Sequence, residues 1–281
     1  MLHEDSEHLI RLALSEDIGT GDVTTAACVS EDTRARGYFL ARQPLVLAGT
    51  DVLKAVYDIR GGVDHLELLN EDGDSIQPGE RFAEVVGSAR TLLECERVAL
   101  NFLQRLSGVA TVARQYAELV EGTKCRILDT RKTTPGMRRL EKDAAKAGGV
   151  VNHRIGLYDA ILIKNNHISA AGGVRQALEA ARAASDLPIE IEVREIDELH
   201  EALAGGATHL LLDNLSPQQA GEWIHIVNGR AIVELSGGIT LDSARDYAEA
   251  GADFVSVGAI THSAPAVDIS FRLEAFGQQK L

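Results

Sequence analysis

The sequence predicts an α/β protein with two domains: an N-terminal α/β domain and an open, incomplete TIM-like α/β barrel with six or seven parallel strands. From residue 126 onward, apolar β-branched runs alternate with helical segments, which is the pattern of a parallel sheet buried on both faces. These repeats occupy about 160 residues, whereas a complete eight-stranded barrel needs roughly 250. Polar residues gather at one set of strand ends, which favours the barrel over the alternative of a flavodoxin-like sheet.

The segment before the barrel has a different pattern of apolar residues. Residues 3–14 have the spacing of a short amphipathic helix, and residues 36–90 contain short β-type runs separated by turn formers. The second pattern predicts an antiparallel sheet with hairpins. Residues 91–121 return to helical spacing, interrupted by Ser107-Gly108. We therefore predict two helices that meet at this pair, and we place the domain boundary nearby.

The overall charge excludes two classes of partner. The 281 residues carry a formal net charge of -14, and the isoelectric point is near 5.1. Nucleic acids and anionic membranes both attract proteins with a broad basic surface, so neither is an expected partner. The first residues are acidic, without a basic region followed by an apolar core, and no apolar run approaches membrane-spanning length. We expect a cytoplasmic location.

The cysteines give no sign of a disulfide framework or a zinc site. Cys28, Cys95 and Cys125 lie far apart in the sequence, and none belongs to a CxxC pair. Because a reactive thiol needs an electropositive, partly exposed setting, we expect these residues to be small buried hydrophobic side chains.

A cationic cluster stands out in this acidic chain. Eight basic residues fall between positions 131 and 164, beside turn formers and apolar runs, which indicates loops at strand ends. Guanidinium and ammonium groups at converging strand ends can bind a small polyanion. Ion pairs with neighbouring acidic residues are the alternative. The eight are Arg131, Lys132, Arg138, Arg139, Lys142, Lys146, Arg154 and Lys164.

Two carboxylates also end predicted strands. Glu192 lies in the strand IEIEV, and Asp213 ends HLLLD. A buried carboxylate is costly unless it is paired or bound to a metal, so these two residues suggest contacts with sugar hydroxyls or Mg²⁺. By alternation, Glu190 shares the face of Glu192. His153, next to Arg154, fits either a contact with substrate or a role as a satisfied core histidine.

Glycine-containing loops follow the last two predicted strands. They are Ser236-Gly237-Gly238 and the segment Gly258-Ala259-Ile260. In α/β barrels the loops at these two places commonly bind phosphate through backbone N–H groups. Two such loops in barrel order make phosphate the expected ligand.

Several of these segments together resemble the quinolinate phosphoribosyltransferases, the carboxylating nicotinate-nucleotide pyrophosphorylases. The segments are TRKTTPG, GGVVNHRIGLYDAILIKNNHI, EIEV, LLLDN, ELSGGIT and VSVGAITHS, and the similarity extends from EDIGTGDVTT to DISF. One position departs from the pattern: Arg194 follows EIEV, where family members often carry acidic residues. A near relative linked to molybdenum uptake shares much of the same pattern.

The resemblance implies a reaction and an assembly. Quinolinate and phosphoribosyl pyrophosphate would give nicotinate mononucleotide, pyrophosphate and CO₂ for de novo NAD biosynthesis, with Mg²⁺ as cofactor. It also implies domains of residues 1–108, rejoined by 269–281, and 109–268. The chain would form a homodimer in which Arg97 reaches the substrate of the neighbouring subunit, with a higher oligomer left open.

The resemblance further assigns roles to individual residues. The implied substrate-binding set is Arg97, Thr130, Arg131, Lys132, His153, Arg154, Lys164, Glu192 and Asp213. Within it, the implied catalytic residues are Lys132, Lys164, Glu192 and Asp213, and the last two are candidate Mg²⁺ ligands. The implied phosphate-binding residues are Ser236, Gly237, Gly238, Gly258, Ala259 and Ile260.

Three other functions compete with this one. A pyrophosphorylase of the molybdenum-uptake type would use the same residues on another substrate. A Schiff-base lyase would use Lys164, since a lysine that ends a barrel strand suits that chemistry. A non-catalytic ligand sensor would bind quinolinate without turnover, although no appended signalling domain is visible.

Overall fold

The computed structural model describes residues 2–276; Met1 and residues 277–281, the last part of the predicted C-terminal tail, lie outside it. The helices are α1 Glu4–Ile18, α2 Val23–Cys28, α3 Thr50–Ile59, α4 Ala89–Leu119, α5 Arg138–Ala147, α6 Asn165–Ala171, α7 Val174–Ala184, α8 Ile196–Ala204, α9 Pro217–Val227, α10 Ala244–Glu249 and α11 Ala259–His262. The strands are β1 Arg34–Ala41, β2 Leu45–Val46, β3 His65–Leu68, β4 Ser75–Ile76, β5 Arg81–Ser88, β6 Arg126–Leu128, β7 Ile161–Ile163, β8 Ile189–Val193, β9 His209–Asp213, β10 Ile232–Ser236, β11 Phe254–Ser256 and β12 Ile269–Ala275. Within the described range, no helix combines the length and the apolar character needed to cross a membrane.

Among the described residues, the first of two compact units contains residues 2–114, 133–149 and 263–276. Its main sheet is antiparallel, in the order β12-β1-β5-β3, and β2 pairs with β4. The antiparallel prediction is confirmed, and β12 shows the C-terminal tail returning to this unit. The prediction missed α3, which lies between β2 and β3.

Helix α4 is continuous through Ser107-Gly108, so the predicted break between two helices is wrong. Ser107 is fully buried, and its hydroxyl accepts a hydrogen bond from the Ala48 amide at 3.0 Å. A Cβ added to Gly108 would lie only 2.1 Å from the carbonyl oxygen of Pro265. Gly108 therefore allows a close backbone approach, and it does not end the helix.

The second unit, Gln115–Lys132 with Val150–His262, is the barrel. Its six strands are parallel, in the order β6-β11-β10-β9-β8-β7. From β7 to β11 the order follows the chain without the reversal of a doubly wound sheet, which excludes the flavodoxin-like alternative. Strands β6 and β7 remain the two ends of the sheet, so the predicted open barrel is confirmed. The segment VVNHR, residues 150–154, contributes only an isolated bridge between Val151 and Leu128, so the sheet has six strands and not seven.

Arg105 of α4 pairs with Glu141 of α5. The Glu141 side chain is fully buried, and its Oε1 accepts hydrogen bonds from Arg105 Nε at 3.0 Å and Nη2 at 2.7 Å. Thr134 adds its backbone N–H at 3.0 Å and its hydroxyl at 2.7 Å. Helix α5 thus groups with the first compact unit.

Replacing Arg105 with Met is expected to destabilise the fold strongly. The change removes the guanidinium but leaves the Glu141 carboxylate buried, and removing one partner of such a pair costs about 3–5 kcal/mol. Urea denaturation should show this loss in the free energy of unfolding. Lys54→Met is the matched control, because it removes an exposed pair with Asp58 in the same unit and should leave stability unchanged. Equal effects of the two substitutions would contradict the assignment of a buried pair.

Candidate functional site

A cavity of about 750 Å³ lies in the barrel unit, at the C-terminal ends of the parallel strands. Its lining includes nearly all of the predicted site residues: Thr130, Arg131, Lys132, His153, Arg154, Lys164, Glu192, Asp213, Ser236, Gly237, Gly238, Gly258 and Ala259. Two predicted residues are not part of this lining. Arg97 is an exposed residue of α4, and the Ile260 side chain is fully buried. The structure thus brings the predicted set together, and the roles of its members stay predictions.

The cationic side chains of the lining come from three segments: Arg131 and Lys132 follow β6, Arg154 precedes β7, and Lys164 directly follows β7. Arg154 Nη1 donates a hydrogen bond to the Ala160 carbonyl oxygen at 3.0 Å, which holds the guanidinium in place. Burial, followed by the nearby charge of Arg131, lowers the pKa of Arg154 from its ordinary value. An arginine remains charged despite such a shift. Two guanidinium groups that repel each other would be stabilised by an anion bound between them.

Lys132 is fixed by its backbone and accommodated by a glycine. The Thr261 hydroxyl donates a hydrogen bond to the Lys132 carbonyl oxygen at 2.8 Å, and the Lys132 amide donates to Thr130 Oγ1 at 3.1 Å. A Cβ added to Gly258 would lie 3.0 Å from Lys132 Cδ. Gly258 therefore leaves room for the lysine stem to reach the cavity.

The carboxylates of the lining come from the central strands. Glu192 of β8 is only 7% exposed, and its Oε2 lies 3.8 Å from Lys164 Nζ. Asp213 ends β9 and pairs in register with Ser236, the residue that ends β10. A carboxylate and the start of a predicted phosphate loop are thereby placed side by side at the strand ends.

His153 is the centre of a buried hydrogen-bond network. Its Nε2 lies 3.2 Å from Glu190 Oε2 and 3.4 Å from Glu234 Oε2. Its Nδ1 accepts a hydrogen bond from the Arg154 amide at 2.7 Å, and its own amide donates to Asp129 Oδ1 at 2.8 Å. His153 thus has the partners of a satisfied core histidine while it also lines the cavity.

The same network contains metal-type donor atoms. His153, Glu190 and Glu234 offer donors that all lie within 4.8 Å of one another. The predicted metal ligands Glu192 and Asp213 are not among the three. Hydrogen bonds between His153 and the two carboxylates account for the arrangement.

Protonation of this network responds to opposing forces. Burial lowers the pKa of His153, but hydrogen bonds and charge from Glu190 and Glu234 outweigh burial and raise it to about 10. Burial raises the pKa of Glu190 to about 7, although the hydrogen bond from His153 opposes that shift. The Arg154 amide occupies Nδ1, so a second proton on the ring requires that contact to open. The carboxylates favour the protonated ring, and the amide opposes it.

The cysteines play no part in this site. Burial raises the pKa of both the Cys95 and Cys125 thiols to about 12, so neither supplies a thiolate near neutral pH. Both confirm the expectation of small buried side chains. Cys28 is exposed, which corrects that expectation for the third cysteine.

Sequence reasoning missed five polar residues of the cavity lining: Asn214, Glu234, Thr240, Ser256 and His262. Glu234 had a readable signal: it precedes Ser236 by two positions in β10, and alternation puts both side chains on one face. Asn214 had a weaker signal. It follows Asp213 directly in LLLDN, and only the structure shows its left-handed backbone, with φ of 59°.

Replacing Glu234 with Gln is expected to flatten the dependence of stability on pH. Because the folded state raises the pKa of His153, the stabilisation is complete below about pH 6.5 and is lost as pH rises through the raised value. The variant should be less stable at about pH 6, and its free energy of unfolding should fall less toward about pH 9. Urea titrations at the two pH values measure both effects. Glu67→Gln, at the exposed His65–Glu67 pair, is the control and should keep the wild-type dependence of unfolding free energy on pH. If Glu234→Gln also kept the wild-type dependence, the effect of Glu234 on the pKa of His153 would be refuted.

Comparison with known proteins agrees with this site. Residues 22–107 match the family described as quinolinate phosphoribosyl transferase, N-terminal domain, and residues 109–272 match its C-terminal domain. The chain is 44% identical to the carboxylating nicotinate-nucleotide pyrophosphorylase of Mycobacterium leprae, over 94% of this chain and 95% of that protein. It is 37% identical to the decarboxylating quinolinate phosphoribosyltransferase 1b of Nicotiana tabacum, over 96% and 83% of the two chains. The solved nicotinate-nucleotide pyrophosphorylase of Francisella tularensis superposes with a TM-score of 0.94 at 37% identity, covering 98% of each chain. The cavity described above is therefore that of a member of the quinolinate phosphoribosyltransferase family, to which this chain belongs.

Proposed function

We propose that this chain transfers the phosphoribosyl group of phosphoribosyl pyrophosphate to quinolinate, forming nicotinate mononucleotide, pyrophosphate and CO₂ in de novo NAD biosynthesis. The observation that carries the proposal is one cavity that combines four cations, two strand-end carboxylates and two glycine-containing loops. A substrate with two adjacent carboxylates and a second substrate rich in phosphate need such a set. The names of the relatives in Mycobacterium leprae and Nicotiana tabacum support the same activity.

Quinolinate would bind at the cationic side of the cavity. Arg131 and Arg154 can each grip a carboxylate bidentately, and Lys164 adds a compact point charge. His153 completes this set in the proposal, through the face of its ring that borders the cavity. Binding in this way would aim the ring nitrogen at the anomeric carbon, and such positioning can lower the barrier by several kcal/mol.

Phosphoribosyl pyrophosphate would occupy the opposite side. The ribose becomes oxocarbenium-like as the bond to pyrophosphate breaks, and the carboxylates of Glu192 and Asp213 can bind its hydroxyls and stabilise the positive charge. The loop Ser236-Gly237-Gly238 and the segment that begins at Gly258 would bind the 5-phosphate. Lys132 is placed to contact the pyrophosphate.

Glu192 and Asp213 also fit the Mg²⁺ that the family resemblance implies. Both are oxygen donors on the cavity, and Mg²⁺ is usually held by one or two carboxylates together with substrate phosphates. When bound, the ion would neutralise charge on the pyrophosphate leaving group. The neighbouring Lys164 partly offsets the charge of Glu192 in its absence.

Loss of CO₂ needs little from the protein. Once the ring nitrogen carries the ribose, its positive charge stabilises the electron pair that the departing CO₂ leaves on the neighbouring ring carbon. Breaking that bond requires no general acid or base, and a proton from water then adds to the ring carbon to complete the product. The cavity has only to hold the ring while the second carboxylate remains bound to its cations.

The competing functions lack a supporting observation. A Schiff-base lysine needs a desolvated setting, whereas the Lys164 side chain is 51% exposed. The pyrophosphorylase of the molybdenum-uptake type would share the phosphate loops and differ in what it binds beside Arg131 and Arg154. We propose quinolinate because paired guanidinium groups match its paired carboxylates.

We further propose that the active form is a homodimer and that Arg97 completes the site of the partner subunit. Arg97 is exposed on α4, where it is available to another chain. Its role would be to contact quinolinate from outside the barrel that binds it. Higher oligomers and a cytoplasmic location stay predictions.

The decisive assay measures pyrophosphate and CO₂ release from phosphoribosyl pyrophosphate and Mg²⁺ with quinolinate, using nicotinate in parallel. We expect release with quinolinate only. Arg131→Ala should lower kcat/KM for quinolinate roughly 100-fold, which corresponds to about 2.7 kcal/mol of lost transition-state binding. Arg175→Ala, at an exposed arginine of α7, should leave it unchanged. If neither quinolinate nor nicotinate led to release of pyrophosphate, the proposed activity would be refuted.

Subunit complementation tests the role of Arg97. Arg97→Ala and Lys132→Ala should each be nearly inactive as homodimers. After mixed refolding, half of the dimers combine the two variants and have one intact site, so about a quarter of wild-type turnover should return. If activity does not return although mixed dimers form, Arg97 acts within its own subunit or has no role in the site.

A further inference from the structure

We propose that Asn214 is a positioning residue that fixes the carboxylate of Asp213 and joins it to the loop Ser236-Gly237-Gly238. The inference rests on the proposed function, because it concerns the residues assigned there to phosphoribosyl pyrophosphate. Asn214 lines the same cavity, between the end of β9 and the loop after β10.

The backbone of Asn214 is unusual for a residue with a side chain. Its φ is 59°, and within the described residues only one other non-glycine residue, Asn228, has a positive φ. Asn228 has an evident local reason, because it caps α9 and its amide donates to the Ile224 carbonyl oxygen. Asn214 caps no helix. Its amide donates a hydrogen bond to the Ser236 carbonyl oxygen at 2.9 Å, one residue beyond the end of the β9–β10 pairing.

Glycine would adopt this backbone more easily, so the side chain must account for an asparagine here. Asn214 Nδ2 donates a hydrogen bond to Asp213 Oδ2 at 2.6 Å. The opposite orientation of the amide would bring two oxygens to that distance, which would be repulsive. A hydrogen bond to a carboxylate is among the stronger ones in proteins, and this one holds one oxygen of Asp213 in place.

The other side of the Asn214 amide contacts the loop. A Cβ added to Gly237 would lie 2.3 Å from Asn214 Oδ1 and 2.8 Å from the Asn214 amide nitrogen. Gly237 also has φ of 104°, so its position depends on the absence of a side chain. The Asn214 amide thus lies between the carboxylate proposed to bind ribose or Mg²⁺ and the loop proposed to bind the 5-phosphate.

These contacts set the orientation of Asp213. Asp213 lines the cavity, and the structure shows no hydrogen bond to its Oδ1 from the residues it describes, so we expect this oxygen to be the one that binds a ligand. With Oδ2 held by Asn214, the carboxylate keeps one rotamer before substrate arrives. Such preorganisation matters because a site that must be ordered during binding loses affinity and rate.

The test compares two glycine substitutions. Asn214→Gly keeps the left-handed backbone and the amide contact to Ser236 but removes the side-chain hydrogen bond. We expect its thermal midpoint to stay within about 2 °C of wild type or to rise, since glycine relieves strain at this φ. Its kcat/KM for phosphoribosyl pyrophosphate should fall roughly 10- to 100-fold, the usual effect of losing such a supporting partner. KM for quinolinate should change less than about twofold.

Asn228→Gly is the matched control. It makes the same exchange at the other left-handed asparagine, which does not line the cavity. Both KM values should remain at their wild-type level. Asn214→Asp is the second variant: it keeps the size of the side chain but sets a carboxylate against Asp213, so its loss toward phosphoribosyl pyrophosphate should exceed that of Asn214→Gly.

Calorimetric binding of phosphoribosyl pyrophosphate with Mg²⁺ separates this inference from the proposed function. If wild type binds but does not turn over quinolinate, the proposed reaction fails, and weaker binding by Asn214→Gly still supports the positioning role. If wild type turns over quinolinate and Asn214→Gly matches it in binding and in kcat/KM, only the positioning role is overturned. A large fall in thermal midpoint with equal losses toward both substrates would show a merely structural asparagine. Absence of binding by wild type would overturn both proposals.

Discussion

Parallel pairing of the barrel strands is the constraint on which the site depends. Because neighbouring strands point the same way, their C-terminal ends meet at one edge, and the register decides which side chains become neighbours there. Glu192 and Glu234 both pair with Leu211 of the strand between them, and Asp213 pairs with Ser236. A shift of one residue in β9 or β10 would turn these side chains to the other face of the sheet. The apolar ladder of Ile191, Leu210 and Val233 below them, each at most 2% exposed, resists such a shift.

Compensation between opposite charges allows so many ionisable groups to be buried. In the barrel, His153 lies between two carboxylates, and Lys164 lies near Glu192. In the first unit, Arg105 and two groups of Thr134 satisfy the buried carboxylate of Glu141. Each of these acids would be costly alone in a setting of low polarity.

Features that depend on residues close together in the sequence could be predicted from the sequence. Alternation predicted that Glu190 and Glu192 share a face, and the strand-helix rhythm predicted the open barrel. The continuity of α4 could not be predicted from the sequence. Gly108 is needed because the carbonyl oxygen of Pro265 approaches it closely, and Pro265 is distant in the sequence. The same holds for Arg105, whose partner Glu141 lies on a different helix. The left-handed backbone of Asn214 accompanies a side-chain hydrogen bond to Asp213 and a close approach to Gly237 on the next loop, which single-sequence propensity does not describe.

The pairing of β1 with β12 determines when the antiparallel sheet of the first unit can be completed during synthesis. Ala35 lies opposite Ala275, so the partner of an early strand is one of the last segments to leave the ribosome. At a synthesis rate of about 5–20 residues per second, the interval between synthesis of β1 and synthesis of β12 is on the order of ten to fifty seconds, and one edge of β1 stays unpaired throughout. During this time it presents unpaired backbone groups that could join another chain. The barrel unit is synthesised before β12 completes the sheet, so the barrel can fold while the sheet of the first unit still has an unpaired edge.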